Sequence, residues 1–338
     1  MIKKIILFFA IICLCIAIAA GVATHWMASF IKTPVAQISK PVNFTVSSGQ
    51  HLSIIAQNLK DQDLISNLLA FKIYVRIKKA ATRIKAGEYE MNTGMSPKTI
   101  LNVLTLGKNK LYRLTIPEGL NMEEISTLAQ KAGLCSSEQF LSLCNDLEFI
   151  NQLELPGMTL EGYLFPDTYF FSRQTDCKTL IKKMISTFNK TFNDTWKARA
   201  KKIGLSVHEV VILASIIEKE TGNGKERPII SSVFHNRLKR NMRLESDPTV
   251  IYGVSDYHGR IRYKHLRRVT PYNTYKINGL PAGPIANPGG QSLKAALYPA
   301  KTKYLFFVSK NDTTHKFSTN LKDHNRAVKK YQLNHQTF

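Results

Sequence analysis

The chain opens with two lysines, Lys3 and Lys4, followed by an unbroken uncharged apolar run from Ile5 to Thr24. A helix needs roughly 20 apolar residues to cross a bilayer core, so the run predicts one membrane span. The lysines place the N-terminus on the cytoplasmic side, and Trp26 suits the far interface. A cleaved signal peptide is the competing reading, and Ala17-Ile18-Ala19 resembles its cleavage site. The run is longer than a signal core of about 7–15 residues, which favours an uncleaved anchor. No small residue stands just before Cys13 or Cys15, so a lipoprotein box is not indicated.

Past a polar, proline-containing linker at 28–42, the pattern changes to short alternations followed by helical spacing. "FTVSSGQHLSIIAQNL" from Phe44 and "LTIPEGLNMEEISTLA" from Leu114 form a weak internal repeat. Each copy reads as a short strand, a glycine turn (Gly49, Gly119) and an amphipathic helix. The first copy leads into a basic helical stretch, then a strand, a turn and another helix. This part has a LysM-like pattern, a type of module that holds glycans; a structural spacer is the plainer reading. Residues 118–155 read as mainly helical and 177–203 as one basic amphipathic helix. Helices are also expected at 206–221 and 227–240. Beyond Leu244 the chain is loop-like up to a buried strand at 304–310, and a last helix spans roughly 320–332.

Composition adds a constraint on partners. The 338 residues hold 47 Lys+Arg against 24 Asp+Glu, a net charge of +23. Such a balance favours an anionic partner. With an anchor in front, residues 28–338 lie across the membrane, which argues against nucleic acid. Of the five cysteines, Cys135, Cys144 and Cys177 lie outside the apolar run. A Cys135–Cys144 bridge and buried free thiols are both open readings.

Candidate chemistry gathers late in the chain. There is no GxxxxGK[ST], GxSxG, HExxH or CxxC, so nucleotide, serine-hydrolase and zinc-peptidase readings lack local support. Neither a metal nor another cofactor is implied. "SIIEKETG" (Ser215–Gly222) ends a helix that opens on a Ser206-x-x-Glu209 capping box, with Gly222 and Gly224 as its stop. At 100° per residue, Glu218 lies on the arc of Val207, Val211 and Ala214, while Glu220 is nearly opposite. Glu218 therefore breaks an apolar face in the last helical turn. Apolar walls and the negative end of the helix dipole are both expected to raise its pKa, as a general acid requires. A buried glutamate paired with an arginine is the alternative.

The flanking loops carry Arg237, Asp247, Thr249, Tyr252, Tyr272, Asn273, Tyr275 and Asn287. Amides, hydroxyls and aromatic rings in Gly/Pro loops suit sugar: rings stack on pyranose faces and amides bond hydroxyl and acetamido groups. Each of these residues also has an ordinary reading in turns or packing. Asp247 is a candidate to orient Glu218, beside Glu220 and Glu161 as other available carboxylates, and Arg237 a candidate to balance its charge. Tyr163, Phe165 and Tyr169 read as core.

"LEGYLFPDTYFF", "LASIIEKETG", "SDPTVIYG", "TPYNTY" and "GLPAGPIANPG" occur in that order. Together they resemble the motifs of the YceG-like endolytic murein lytic transglycosylases, along the chain from the anchor to its end. Thr270 stands where serine is common in that family. The resemblance implies cleavage of the β-1,4 bond between N-acetylmuramic acid and N-acetylglucosamine, leaving a 1,6-anhydro end. It implies Glu218 as the catalytic residue and peptidoglycan strands as partner, with peptidoglycan synthases as further partners, while the eight loop residues are candidate substrate contacts by their composition. The expected fold class is α+β. A cytoplasmic tip and anchor (1–27) and the linker lead to a LysM-like β-α subdomain (43–110). A mainly helical catalytic domain with a small sheet (111–338) follows, on the periplasmic side of the inner membrane. A glycan-binding scaffold without activity and a water-using muramidase are the rival readings.

Overall fold

The computed structural model describes residues 2–254, 257 and 259–333. The described chain divides into two compact units, one of residues 1–112 with 170–174, the other of 113–169 with 175–338.

The smaller unit begins with α1 (Ile2–Lys32), whose stretch Ile5–Phe30 is long and apolar enough to cross a membrane. The helix outruns the expected anchor because its last turn has work in a core. Phe30 is buried there, and Met27 and Ile31 pack beside it. The irregular link is thus shorter than 28–42. Next come β1 (Pro41–Val46), α2 (Leu52–Asp61), α3 (Leu68–Ile77), β2 (Gly87–Asn92) and α4 (Pro97–Leu106). β1 and β2 pair antiparallel with Phe44 opposite Tyr89, both buried. Alternate residues of each strand face inward, so Phe44, Val46, Tyr89 and Met91 meet Leu59, Phe71, Val75 and Leu104 in one core. Caps punctuate the helices. Asn67 and Ser96 accept from the N–H groups of Ala70 and Thr99, and Gly107 closes α4 in the left-handed conformation.

The larger unit is helical around a buried axis. Of β3 (Tyr112–Thr115) and β4 (Thr168–Phe171), residues 113–115 and 168–169 belong to this unit. Between them lie α5 (Met122–Lys131), α6 (Ser137–Cys144) and α7 (Leu147–Gln152). The repeat is real in three dimensions. Gly49 and Gly119 both adopt positive φ, +74° and +79°, between a strand and a helix.

The expected single helix over 177–203 is two, α8 (Cys177–Thr191) and α9 (Asp194–Lys202). Asn193 causes the break: its side chain accepts from Trp196 N–H and starts the second helix afresh. Next, α10 (Val207–Glu220) has the capping box in both directions, Ser206 to the Glu209 N–H and Glu209 back to the Ser206 N–H. Every residue from Val210 to Ile217 is buried. An extended Thr221, φ −150°, ends the helix, ahead of the two glycines.

α11 (Arg227–Lys239), the short α12 (Pro248–Ile251) and α13 (Tyr263–Arg267), and α14 (Gly290–Leu297) follow. α14 packs along α10, with Leu293, Ala296 and Leu297 buried. The strand expected at 304–310 is β5 (Phe306–Ser309) and is half-buried. Among the described residues it pairs with β6 (His315–Ser318) alone. α15 (Leu321–Val328) packs on this hairpin.

The Cys135–Cys144 pairing is corrected. Cys135 is bonded to Cys177, and Cys144 is a buried free thiol. Cys144 lies on the inward face of α6, where burial also pushes its ionisation up.

Candidate active site

Glu218 lies in the last turn of α10 with its side chain 5% exposed. Both carboxylate oxygens have a donor. Arg227, the first residue of α11, gives Nη2 to Oε1 at 2.8 Å, and the Gly289 N–H gives to Oε2 at 2.9 Å. Gly289 is the N-cap of α14, so the positive end of that helix points at the carboxylate. Glu218 thus sits at the negative end of one helix and the positive end of another. The helix wheel shows the first dipole alone.

A second carboxylate shares the cluster. Glu118, in the turn after β3, has Oε2 at 3.6 Å from the same Arg227 Nη2 and is 46% exposed. Burial and then the charge on Glu218 raise its pKa, while Arg227 lowers it. A β-carbon on Gly289 would stand 1.9 Å from Glu118 Oε1, so only glycine fits there with the present side chains. One on Gly119 would meet Glu218 Cγ at 3.5 Å, at a φ that already favours glycine. Lys219 donates to the Gly119 carbonyl at 3.2 Å and fastens the turn to α10.

The turn is held from below by Asn287. Gly119 N–H donates to the Asn287 carbonyl at 2.9 Å, and Asn287 N–H returns to the Leu120 carbonyl at 2.8 Å. The Asn287 amide bonds the Leu120 carbonyl and Glu161 Oε1 and accepts from Leu164 N–H. Glu161 also receives Met122 N–H and the Tyr252 hydroxyl. Burial outweighs these donors and brings its pKa to about 7.

Beside the turn opens a cleft of about 530 Å³. Gly119, Glu123, Lys219, Tyr252, Tyr257 and Ile285 are among its walls. Its size is that of small-ligand sites. Tyr252 is backed by Tyr272, ring centres 4.7 Å apart, which fixes its plane.

The eight expected substrate residues therefore fall into three groups. Tyr252 lines the cleft beside the Gly119 turn, with Tyr272 behind it. Asp247, Tyr275 and Arg237 line a second cavity of about 610 Å³ with Glu220. There Tyr275 donates to Asp247 at 2.7 Å, and Ser246 donates to Glu220. Burial raises the Glu220 pKa to about 7. So Glu220 does turn away from Glu218, but into a pocket of its own.

Thr249, Asn273 and Asn287 form the third group, away from the cleft walls. All three are buried. Thr249 bonds Ser246 and Thr274, and Asn273 bonds the carbonyls of Leu266 and Arg268 and the Tyr275 N–H. Their polar groups shape loops from inside.

Arg237 is corrected as the charge partner of Glu218. It is buried, and donates to the Leu305, Arg243 and Leu244 carbonyls and to Glu245. Arg227 takes that place. In the sequence it hides in "GKERP", where nothing marks it apart from other basic residues at a helix start. Glu118 hides in the repeat, where the glycine beside it carries the pattern. Tyr163 and Tyr169 are core residues, as expected.

The model of the YceG-like family matches residues 44–330. The chain belongs to the YceG-like family. A Bacillus subtilis protein named endolytic murein transglycosylase is 40% identical over 88% of this chain and 87% of its own length. A Streptococcus pneumoniae protein of the same name is 30% identical over 87% of this chain. The chain spans only 59% of that longer YceG-like relative. The crystal structure of a YceG-like protein from Listeria monocytogenes is 33% identical, with a TM-score of 0.58. That match covers 85% of this chain and 98% of the other.

Proposed function

We propose that this YceG-like chain is a murein transglycosylase, and that it cuts within nascent glycan strands by a lytic reaction at Glu218. One observation carries the reading. A nearly buried carboxyl group, with a donor on each oxygen, packs against Gly119, and the Gly119 turn lines a cleft of small-ligand size. The names of the curated relatives support the substrate class.

A single carboxyl group suffices for the chemistry. Protonated Glu218 gives its proton to the glycosidic oxygen as the bond from muramic C1 to that oxygen breaks. The carboxylate then takes the proton of the muramic C6 hydroxyl while that oxygen bonds to C1. Glu218 is regenerated, no water enters, and the product carries a 1,6-anhydro ring. The attack is intramolecular, so its effective concentration is high. Tyr252, held in plane by Tyr272, offers a stacking face for one sugar. Asp247 and Tyr275 are assigned to a more distant part of the strand.

The anchor supports a single-pass protein, with the lysines on the cytoplasmic side and the chain beyond α1 on the outer side of the cytoplasmic membrane. The strand-helix-helix-strand order of residues 41–92 supports the LysM-like reading of the smaller unit. The net charge of +23 suits stem-peptide carboxylates and an anionic leaflet.

The test is mass spectrometry of murein digested by the full chain in detergent, with Glu218→Gln alongside. Anhydro ends that disappear in the variant are expected. Reducing ends would make it a water-using muramidase. An undigested substrate would leave a binding scaffold.

A further inference from the structure

Arg227 is 8% exposed, and its Nε–H has no acceptor among the described residues. A guanidinium in such a place needs an anion beside it. The proposed reaction requires Glu218 to be neutral before it acts, and a neutral Glu218 would withdraw the nearer anion. Glu118 lies within reach of the same nitrogen, at 3.6 Å against 2.8 Å for Glu218.

We propose that Glu118 is a positioning residue for Glu218: it is the alternate anionic partner of Arg227, and so allows Glu218 to carry a proton while the guanidinium stays paired. This rests on Glu218 being the acid of the proposed reaction. When Glu218 is protonated, Arg227 turns to Glu118. When Glu218 has given its proton, Arg227 returns to it. The same Nη2 already lies 2.8 Å from one carboxyl group and 3.6 Å from the other, so the guanidinium keeps an anion beside it at either stage.

The charged groups around Glu218 are consistent with this division. Arg227 comes from the start of α11, and Glu118 from the turn after β3. From its own helix, Lys219 is tied to the Gly119 carbonyl and Glu220 to Ser246. From α14 comes the Gly289 N–H, and α12 carries no charged residue. The two carboxyl groups share one cation, Arg227 Nη2, at 2.8 Å and 3.6 Å.

The sign of the effect follows. Glu118→Gln leaves Arg227 wholly to Glu218 and removes a neighbouring negative charge. Both changes favour the ionised form of Glu218, so the acid is lost at lower pH. Arg227→Gln acts in the opposite direction. A brace without this role would alter stability and overall rate but leave the pH at which activity falls unchanged.

Two measurements on the full chain in detergent test this. One is ¹³C NMR titration of glutamate carboxyl groups, with Glu218 assigned by its absence in Glu218→Gln. The other is the pH profile of kcat/KM on murein. Glu118→Gln is expected to move the Glu218 titration and the alkaline limb down by about one pH unit, a tenfold change in proton affinity. Arg227→Gln is expected to move both up. An unmoved or upward titration in a folded Glu118→Gln variant overturns the proposal, even if murein is cleaved. A downward titration in a protein that cleaves no murein supports the coupling and sinks the proposed reaction instead.

Discussion

Gly289 and Glu218 meet through one hydrogen bond, glycine N–H to Oε2 at 2.9 Å, and the space beside that glycine belongs to Glu118. Any β-carbon at Gly289 would overlap the Glu118 carboxyl group. Glu118 is half-exposed and can swing away, so the protein is expected to fold. Gly289→Ala should therefore lower kcat/KM by roughly tenfold to a hundredfold, since a displacement of about 1 Å costs that much. Its urea midpoint should stay within the range of a mild surface change. Retained activity would mean that this contact is dispensable.

Asn287 holds the Glu118–Gly119 turn by both its backbone and its side chain. Asn287→Ala leaves Glu161 Oε1 and the Leu164 N–H without their partner in a buried place. We expect a loss of about 2–4 kcal/mol in urea unfolding, because unsatisfied buried polar groups carry their full desolvation cost. A residue that only touched sugar would change KM and leave stability alone, so the two roles separate in one pair of experiments.

The contrast between Glu218 and Asn287 shows what a single sequence can disclose. Glu218 stands out because it violates the period of a well-capped helix, a local signal. The anchor, the strand–glycine–helix repeat and the α10 boundaries are local in the same sense. Asn287, Arg227 and Glu118 owe their places to contacts across the fold: Asn287 reaches Leu120, and Arg227 reaches Glu118. α14 was hidden for a related reason. Its two opening glycines read as loop, yet Gly289 is required by Glu118. The break at Asn193 was legible in principle, since asparagine is a strong N-cap. The basic amphipathic spacing on either side masked it.

Glu161 and Glu220 make stability depend on pH. Both have pKa values of about 7 in the folded protein, raised chiefly by burial from an ordinary 4.5. Between those values the folded state holds protons that the unfolded chain releases. Their contribution is therefore full below about pH 4.5 and is lost as pH rises through 7. The stability of the wild type relative to Glu161→Gln should fall between pH 5 and pH 7.5, by up to about 3 kcal/mol. Glu220→Gln should behave likewise. Urea unfolding at the two pH values measures the difference, and a difference that grows with pH would refute the assignment.

The Cys135–Cys177 bridge closes a loop with a sequence separation of 42. That loop contains Glu161 and the strand β4, so the bridge restricts the unfolded segment that supplies the brace under the site. Loop entropy for this length corresponds to about 4 kcal/mol, an upper value if the reduced chain retains structure. Replacing both cysteines with alanine should lower the urea midpoint accordingly, and a reductant should do the same to the wild type but not to the variant. Activity well below the melting temperature should be unchanged, because neither sulfur belongs to the Glu118–Arg227–Glu218 cluster. Cys144 gives the internal control. Buried, with its ionisation pushed up, it should resist alkylation in the native protein and react only on unfolding. Peptide mapping that found Cys144 bridged to Cys135 would overturn this pairing and restore the shorter loop, with a correspondingly smaller effect on stability.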